Sequence, residues 1–222
     1  MVLGRRDGGL TRDEVLAHAR SLVEATELPV SADLEDGFAD SLAGVAETIR
    51  LAAAAGLVGG SIEDATGDAT RLFYDFEEAV DRVSAAVVAA RALPFPFTLT
   101  ARSENFVRGN PNLDDTIKRL QAFETAGADV LFAPGLPDLA AVKTVCAALK
   151  KPVNFMNGLA GKSFPVEALA AAGVRRISLG ASLYRAALAG LLNAAREISE
   201  RGTFAFADKL PTSAHVYQLL GS

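Results

Sequence analysis

The sequence predicts an α/β fold of the (β/α)8 TIM-type barrel class, with six of the eight βα units recognisable. Segments of helical and strand character alternate along the 222 residues. Three helices end in Ala-Gly and pass directly into an apolar strand, as repeated βα units require. Polar residues then gather where nearly every strand ends. In a doubly wound sheet these ends would spread along an edge, whereas in a barrel they converge on one mouth, so we favour the barrel.

The helices are predicted from capping signals and from apolar residues that recur with a helical period. Thr11 begins the first helix, because Thr11-Arg12-Asp13-Glu14 has the form of a capping box. Three helices stop at a glycine, the residue that best tolerates the left-handed turn after a helix. These glycines are Gly56, Gly127 and Gly173. The later helices are predicted over residues 41–55, 75–92, 113–126, 137–149, 165–172 and 182–201.

The strands are short apolar runs between these helices. They are apolar on both faces, as parallel strands covered by helices must be. In chain order they are LPVSADLE, LVGGSIED, FPFTLTARS, ADVLFAPG, KPVNFM and VRRISLGAS. We assign residues 1–205 to one barrel domain and residues 206–222 to a C-terminal tail.

Composition and charge narrow the class of protein. Half of the residues are apolar, and a chain of this length fits one domain with a sizeable core. The net charge of -5 and the lack of a basic cluster argue against nucleic acid as a partner. Cys146 is the only cysteine, so no internal disulfide can form and a reducing compartment is expected. With neither a signal peptide at the start nor a bilayer-spanning apolar run, we expect a cytoplasmic protein without a membrane partner.

The polar residues at the strand ends form the candidate site. Each has a purely structural explanation: the acids of SADLEDGF suit a solvated turn, Glu63-Asp64 suits a cap, Arg102 suits an ion pair with Glu104, and Asn154 suits a turn. Together, acids on the first two strands and a cation on the third make a site for a metal ion and an anionic substrate. Mg²⁺ takes carboxylate ligands and keeps several waters. Arginine can bind a carboxylate or phosphonate through two parallel hydrogen bonds.

Six segments of the chain carry a resemblance to a known family. They are PVSADLEDGF, GLVGGSIEDATGD, LTARSENFVRG, LDDTIKRLQAFETAGADVLFAPG, KPVNFM and GVRRISLGASLYRAAL. In this order they resemble successive segments of the phosphoenolpyruvate mutase/isocitrate lyase superfamily, beginning with its metal-binding segment. The resemblance covers about residues 8–205.

The resemblance implies a Mg²⁺-dependent enzyme, with Mn²⁺ as the alternative ion. It would make or break a C–C or P–C bond in a small α-keto or α-hydroxy carboxylic acid through an enolate, as a lyase, phosphonomutase or decarboxylase. The implied metal ligands are Asp33, Glu35 and Glu63; the implied catalytic residues are Arg102 and Glu63; the implied substrate-binding residues are Arg102, Asn154 and Arg185. The resemblance also implies a homo-oligomer, either a dimer or a tetramer.

The sequence departs from the superfamily in three places. ATGDATRLFYD stands where the lyases carry a mobile loop with lysine, cysteine and histidine, so no general acid or base is assigned and isocitrate or methylisocitrate cleavage is disfavoured. Ala133-Pro134-Gly135 stands where many lyases carry a glutamate. The chain begins beyond the family's first two strands, which predicts that the natural start lies upstream or that the copy is truncated. The alternative hypothesis is therefore a non-catalytic or impaired barrel that binds a carboxylate or acts only in assembly.

Overall fold

The computed structural model describes residues 3–6 and 8–220, which divide into two compact units, Met1–Gly180 and Ala181–Ser222. The first unit contains helices α1 (Arg12–Glu24), α2 (Leu42–Ala54), α3 (Phe76–Arg91), α4 (Leu113–Ala126), α5 (Leu139–Ala148) and α6 (Val166–Ala171). The second unit contains α7 (Ser182–Arg201), a 3₁₀ helix (Ala205–Lys209) and α8 (Ser213–Leu220). Within the described residues, no helix combines the length and the apolar character that a membrane span needs.

All of the described strands lie in the first unit. They are β1 (Ser31–Asp33), β2 (Gly59–Glu63), β3 (Ala65–Asp68), β4 (Arg71–Phe73), β5 (Thr98–Arg102), β6 (Val130–Phe132), β7 (Val153–Met156) and β8 (Arg176–Ser178). Six of them form a parallel sheet in the order β1-β2-β5-β6-β7-β8, and β3 and β4 form a separate antiparallel hairpin. The sheet is curled, and Arg176 Nη2 on its last strand donates to Ser31 Oγ on its first strand at 3.2 Å. The predicted fold class, an incomplete barrel of the (β/α)8 type with six βα units, is confirmed.

Local signals in the sequence set the helix boundaries. Thr11 caps α1 with the predicted capping box, in which its hydroxyl and the Glu14 carboxylate accept from each other's backbone N–H groups. Asn112 caps α4 by accepting from the N–H of Asp115, and Gly127 ends that helix at φ 106°. The predicted helices over 113–126 and 182–201 have the observed bounds, and the other predicted helices extend one or two residues too far.

Two clusters of apolar side chains between sheet and helices form the core of the first unit. One packs β1, β2 and β5 against α1, α2 and α3, with Leu34 and Ile62 among its fully buried members. The other packs β5 to β8 against α3 to α6 around Phe123, Leu131 and Phe155. Because both clusters lie on the helix side of the sheet, the opposite face is left to the residues that line the inside of the barrel.

The strands differ from the sequence prediction in two respects. The hairpin of β3 and β4 was not predicted, because its residues lack the alternation of apolar and polar side chains that marks a strand. Residues 206–220 of the predicted tail contain most of the 3₁₀ helix and all of α8; residues 221 and 222 lie outside the described residues. Each of the six strands of the parallel sheet is also shorter than the apolar run that predicted it.

Candidate active site

Three strands deliver charged side chains to one cavity at their carboxyl ends. Asp33 ends β1, Glu63 ends β2 and Arg102 ends β5, and the sheet register pairs Glu63 directly with Arg102. A cavity of about 420 Å³ lies over these strand ends. Its charged lining residues are Asp33, Glu35, Asp36, Glu63, Arg102, Glu104 and Arg108. Among the described residues, five carboxyl groups therefore face two guanidinium groups across a small volume.

Arg102 lies at the centre of this charge cluster. It forms a close ion pair with Asp33, and its Nη2 lies 3.0 Å from Glu63 Oε2 and donates to Glu104 Oε1 at 2.8 Å. Its side chain is 12% exposed. Burial lowers the pKa of Arg102, but the charges of Asp33, Glu63 and Glu104 raise it further, so the pKa lies above its usual range. The pair with Glu104 that the sequence suggested is therefore one of three carboxylate contacts made by the same guanidinium.

Glu63 is buried between two arginines. Besides Arg102, it accepts a hydrogen bond from Arg108 Nη2 at 3.2 Å. Burial raises the pKa of Glu63 to about 8; Arg102 acts in the opposite direction, while the nearby charges of Glu104 and Asp33 add to the increase. At neutral pH the carboxyl group of Glu63 is therefore largely protonated. The arginines do not fully compensate the negative charge of the cavity, which favours the uptake of a cation there.

The segment SADLEDGF turns sharply to present its three acids, Asp33, Glu35 and Asp36, to the cavity. Asp33 Oδ1 accepts from the backbone N–H of Glu35 at 3.0 Å and from the Ser61 hydroxyl at 3.3 Å. The N–H of Glu63 donates to the carbonyl of Glu35 at 2.9 Å, which joins the turn to β2. Glu35 has φ 49° and Phe38 has φ 53°, a left-handed conformation that residues other than glycine rarely adopt. Such strain persists only where surrounding contacts hold it, and it is common at functional sites.

A buried arginine and a tyrosine hold the far side of this turn. Arg82 of α3 donates through Nη2 to the carbonyls of Asp36 at 2.6 Å and Ala39 at 2.7 Å, and through Nη1 to the carbonyl of Asp40 at 3.3 Å. Its guanidinium carbon lies 4.0 Å from the centre of the Tyr74 ring. The Tyr74 hydroxyl in turn donates to Asp36 Oδ2 at 2.8 Å. Asp36 thus anchors the turn to Tyr74.

A further set of buried polar groups supports the strand ends from behind. Asp64 accepts from the backbone N–H of Glu104 at 2.8 Å and from Arg119 Nη1 at 3.3 Å. Burial raises the pKa of Asp64 to about 6, against the lowering influence of the Glu104 N–H and of Arg119. Arg119 also donates to the carbonyl of Tyr74 at 3.2 Å. These contacts tie β2, β5, α4 and the end of the hairpin together behind the cavity.

A second cavity, of about 330 Å³, adjoins the first on the inner face of the sheet. Asp33 and Arg102 line both cavities, and Asn154 and Arg176 line only the second. Asn154 is 1% exposed and donates through Nδ2 to the Ser178 hydroxyl at 2.9 Å. The two cavities therefore meet at Asp33 and Arg102.

The structure brings together most of the residues predicted from the sequence. Asp33, Glu35, Glu63 and Arg102 line the first cavity, and Asn154 lines the second. Arg185 lies in α7, in the second compact unit, and is exposed. The residues Tyr74, Arg82 and Arg108 were not predicted. Arg108 lies six residues beyond Arg102 in ARSENFVRG, where only the placement of that segment beside Glu63 gives it a role.

The donors suit a hard divalent cation, although they do not form a ready-made cage. Among residues 3–6 and 8–220, no three carboxylate, histidine or cysteine side chains are grouped so as to enclose a metal ion by themselves. The cavity nevertheless offers carboxylate oxygens and excess negative charge. Mg²⁺ commonly binds through one or two carboxylates and keeps several waters, so the donor set fits it without a closed cage.

Comparisons with known proteins agree in placing this chain beside one group of enzymes. The sequence model of the family described as phosphoenolpyruvate phosphomutase matches residues 1–199. Oxaloacetate decarboxylase of Bradyrhizobium diazoefficiens is 34% identical over 158 residues, 68% of this chain and 53% of that protein. The 2-methylisocitrate lyase of Escherichia coli K12 is 35% identical over 159 residues, 68% of this chain and 52% of that protein. The chain therefore spans about half the length of these relatives.

A solved structure extends the similarity to nearly the whole chain. A protein of Burkholderia cenocepacia J2315, provisionally described as a lyase/mutase, is 51% identical to this chain with a TM-score of 0.94. The alignment covers 96% of this chain and 77% of that structure. The sequence comparisons and the structural comparison thus both relate this chain to enzymes described as lyases, decarboxylases or mutases.

Proposed function

Because this chain belongs to the phosphoenolpyruvate phosphomutase family, within the phosphoenolpyruvate mutase/isocitrate lyase superfamily, we propose that it is a Mg²⁺-dependent enzyme of the lyase or mutase type. Its substrate would be a small α-keto or α-hydroxy carboxylic acid, and the reaction would make or break a C–C or P–C bond through an enolate. The observation that carries the proposal is the convergence of Asp33, Glu35, Glu63 and Arg102 on one cavity at the strand ends.

Asp33, Glu35 and Glu63 would hold the cation, Mg²⁺ or alternatively Mn²⁺. Asp33 is the best-oriented of the three, because the Glu35 N–H and the Ser61 hydroxyl fix its carboxylate. The turn that carries Asp33 and Glu35 is itself braced by Arg82 and Tyr74, so its position does not depend on the ligand. When bound, the ion would supply a Lewis acid that stabilises negative charge on a substrate oxygen.

The chain's own residues would supply the remaining electrostatics. Arg102 is a permanent positive charge among carboxylates, and a substrate carboxylate or enolate oxygen would compete with them for its donors. Asn154 would offer an amide group to the substrate from the inner face of β7. Arg185 remains a predicted substrate contact.

Glu63 is the best candidate for holding a proton at the site. Burial raises the pKa of Glu63 to about 8 against the opposing charges of Arg102 and Arg108, in the range in which a general acid or base works best. Glu63 would hold a proton in the metal-free site and would release it on binding the cation. The hairpin of β3 and β4 offers no lysine, cysteine or histidine for this purpose. Proton transfer at the Glu63 carboxyl would therefore replace the loop chemistry of the family's lyases, and decarboxylase or phosphonate chemistry is favoured over isocitrate-type cleavage.

An impaired or purely binding role is the second candidate. The observation that favours it is that Arg102 already contacts three carboxylates, which leaves its donors engaged.

We also propose that the protein acts as a homo-oligomer, a dimer or tetramer, in the cytoplasm. Light scattering at micromolar concentration tests the oligomer, and a monomeric mass would contradict it.

Calorimetry and an activity assay test the enzyme proposal. Titration with Mg²⁺ should give saturable binding that Asp33→Ala abolishes. Asp81→Ala removes the same negative charge from the exposed face of α3 and should leave the binding intact. Wild type with Mg²⁺ should convert oxaloacetate to pyruvate and CO₂ or turn over another small keto acid. Equal Mg²⁺ binding by wild type and Asp33→Ala would contradict the metal assignment. Mg²⁺ binding without turnover of any keto acid would favour the binding role.

A further inference from the structure

The two adjoining cavities carry opposite charge. In the first, five acids of the described part of the chain face Arg102 and Arg108. Among the described residues that line the second cavity, Asp33 is the only acid, and it faces Arg102 and Arg176. Since Asp33 and Arg102 line both, a ligand at their border can place one part in an acidic region and another in a basic one. A metal ion suits the first region, and an anionic group suits the second.

Arg176 is the arginine of this region that retains unused donors. Within the described part of the chain it takes part in no ion pair, and its one hydrogen bond runs from Nη2 to the Ser31 hydroxyl at 3.2 Å. Arg102 differs, because three carboxylates already share its guanidinium. A guanidinium carries five N–H donors in a planar fork, so Arg176 can still bind a carboxylate or phosphonate through two parallel hydrogen bonds.

The orientation of Arg176 follows from the alternation of side chains along β8. Arg176 and Ser178 line the second cavity, whereas Ile177 between them packs against the apolar core on the helix side. Arg176 is itself exposed, and it faces a concave surface that includes the hydroxyls of Ser31, Thr100 and Ser178.

Asn154 supplies an independent sign that this cavity takes a polar ligand. Its amide is 1% exposed, and one of its two polar atoms bonds Ser178. None of the described residues lies within hydrogen-bond distance of the other atom, Oδ1. Turning the amide over would exchange the roles of its two atoms and still leave one unpaired. A buried amide atom without a partner costs about 1–3 kcal/mol, so a ligand that pairs with it gains that interaction.

We propose that Arg176 and Asn154 form an anion subsite inside the second cavity, which selects substrates that carry a second carboxylate or a phosphonate. The first anionic group of such a substrate lies at the border formed by Asp33 and Arg102, and Arg176 binds the second. This inference rests on the proposed function, and it assigns the binding of the second anionic group to Arg176. A monoanionic acid of the same backbone leaves Arg176 and the Asn154 amide without their partner.

The test compares two stable α-hydroxy acids that differ by one carboxylate. L-Malate and L-lactate are titrated calorimetrically into wild-type protein, Arg176→Gln, Arg176→Lys and Arg175→Gln at saturating Mg²⁺. Arg175→Gln is a matched control, because it removes the same charge one residue earlier. The Arg175 side chain lies on the helix side of the sheet, where its charge opposes the increase that burial causes in the pKa of Cys146 in α5. Thermal unfolding verifies that each variant is folded.

We expect wild type to bind malate about 10- to 100-fold more tightly than lactate, the effect of one charged hydrogen-bonded contact. Arg176→Gln should remove this preference by weakening malate alone, Arg176→Lys should restore part of it, and Arg175→Gln should leave it unchanged. An unchanged preference in folded Arg176→Gln, or an equal loss for both acids, overturns the inference while leaving the proposed function intact. Failure of wild type to bind either acid overturns the proposed function, and this inference with it.

Discussion

Replacing Arg82 with methionine should destabilise the first unit more than any surface arginine could. Arg82 is 1% exposed and makes no contact with the cavity, yet its guanidinium holds the turn that presents Asp33 and Glu35. Methionine keeps most of the apolar stem and removes the charged fork. The change therefore isolates the bracing contacts from the packing of the side chain.

The magnitude follows from the contacts that are lost. Two of the hydrogen bonds, to the carbonyls of Asp36 and Ala39, are short and charge-assisted, and each such bond contributes about 1.5–3 kcal/mol. Stacking on Tyr74 adds about 1–2 kcal/mol in a desolvated setting. Removing the charge also relieves its desolvation, which offsets part of the loss. We therefore expect the free energy of unfolding to fall by about 3–5 kcal/mol.

Urea unfolding followed by far-ultraviolet circular dichroism measures the effect. With a slope of about 2 kcal/mol per M of urea, the midpoint should fall by roughly 1.5–2.5 M. Arg91→Met is the matched control on the same helix, because Arg91 is 47% exposed and pairs with Asp129 at the surface. That variant should lose about 1 kcal/mol at most. If Arg82→Met shifted the midpoint no further than Arg91→Met, the turn would not depend on Arg82.

Three other changes test separate parts of the structure. In EDTA, stability should fall as pH rises from about 5 to about 8, because folded Glu63 keeps its proton up to a pKa of about 8 whereas the unfolded chain releases it near 4.5; Glu63→Gln should flatten this dependence in melts across that range. Gly59→Ala should cost about 2 kcal/mol in thermal unfolding, since its Cβ would lie 2.8 Å from the Thr98 carbonyl; an unchanged midpoint would show that β2 and β5 can separate. Tyr74→Phe should cost about 1 kcal/mol, and a double-mutant cycle with Asp36→Asn should give a coupling energy of the same size; zero coupling would mean that the 2.8 Å hydrogen bond contributes nothing.

The fold could be predicted because its signals are local. The capping box at Thr11 and the glycine after α4 each act within a few residues, and the structure has both where the sequence places them. Strand lengths were predicted less well, because an apolar run marks burial and does not show where ladder pairing stops. The hairpin after β2 was missed for a related reason: its two strands lie outside the main sheet, and polar residues such as Asp68 and Thr70 hold its turn.

The site could be predicted only as a set of residue types near one another. Parallel strands bring their carboxyl ends together, so Asp33, Glu63 and Arg102 had to meet once the strands were placed. What spacing could not show is how their charges are shared. Glu104 lies two residues after Arg102, and from sequence alone it could bind that arginine or face away from it. The three-way pairing of Arg102 depends on side-chain positions on three strands at once.

Arg82 and Arg176 show why supporting and selecting residues escape a search by motif. Arg82 occupies a helix position whose neighbours Ala79, Val83 and Ala86 mark it as part of a buried face, where an arginine is unexpected until its partners are known. Arg176 begins the short strand β8 directly after Arg175, and nothing in VRRISLG distinguishes the inward arginine from the outward one except the phase of the alternation. That phase becomes definite only when Ile177 is known to pack in the core. The charged residues at the strand ends can therefore be identified from the sequence. The residues that hold the turn and select the ligand can be identified only once it is known which side of each strand faces the core.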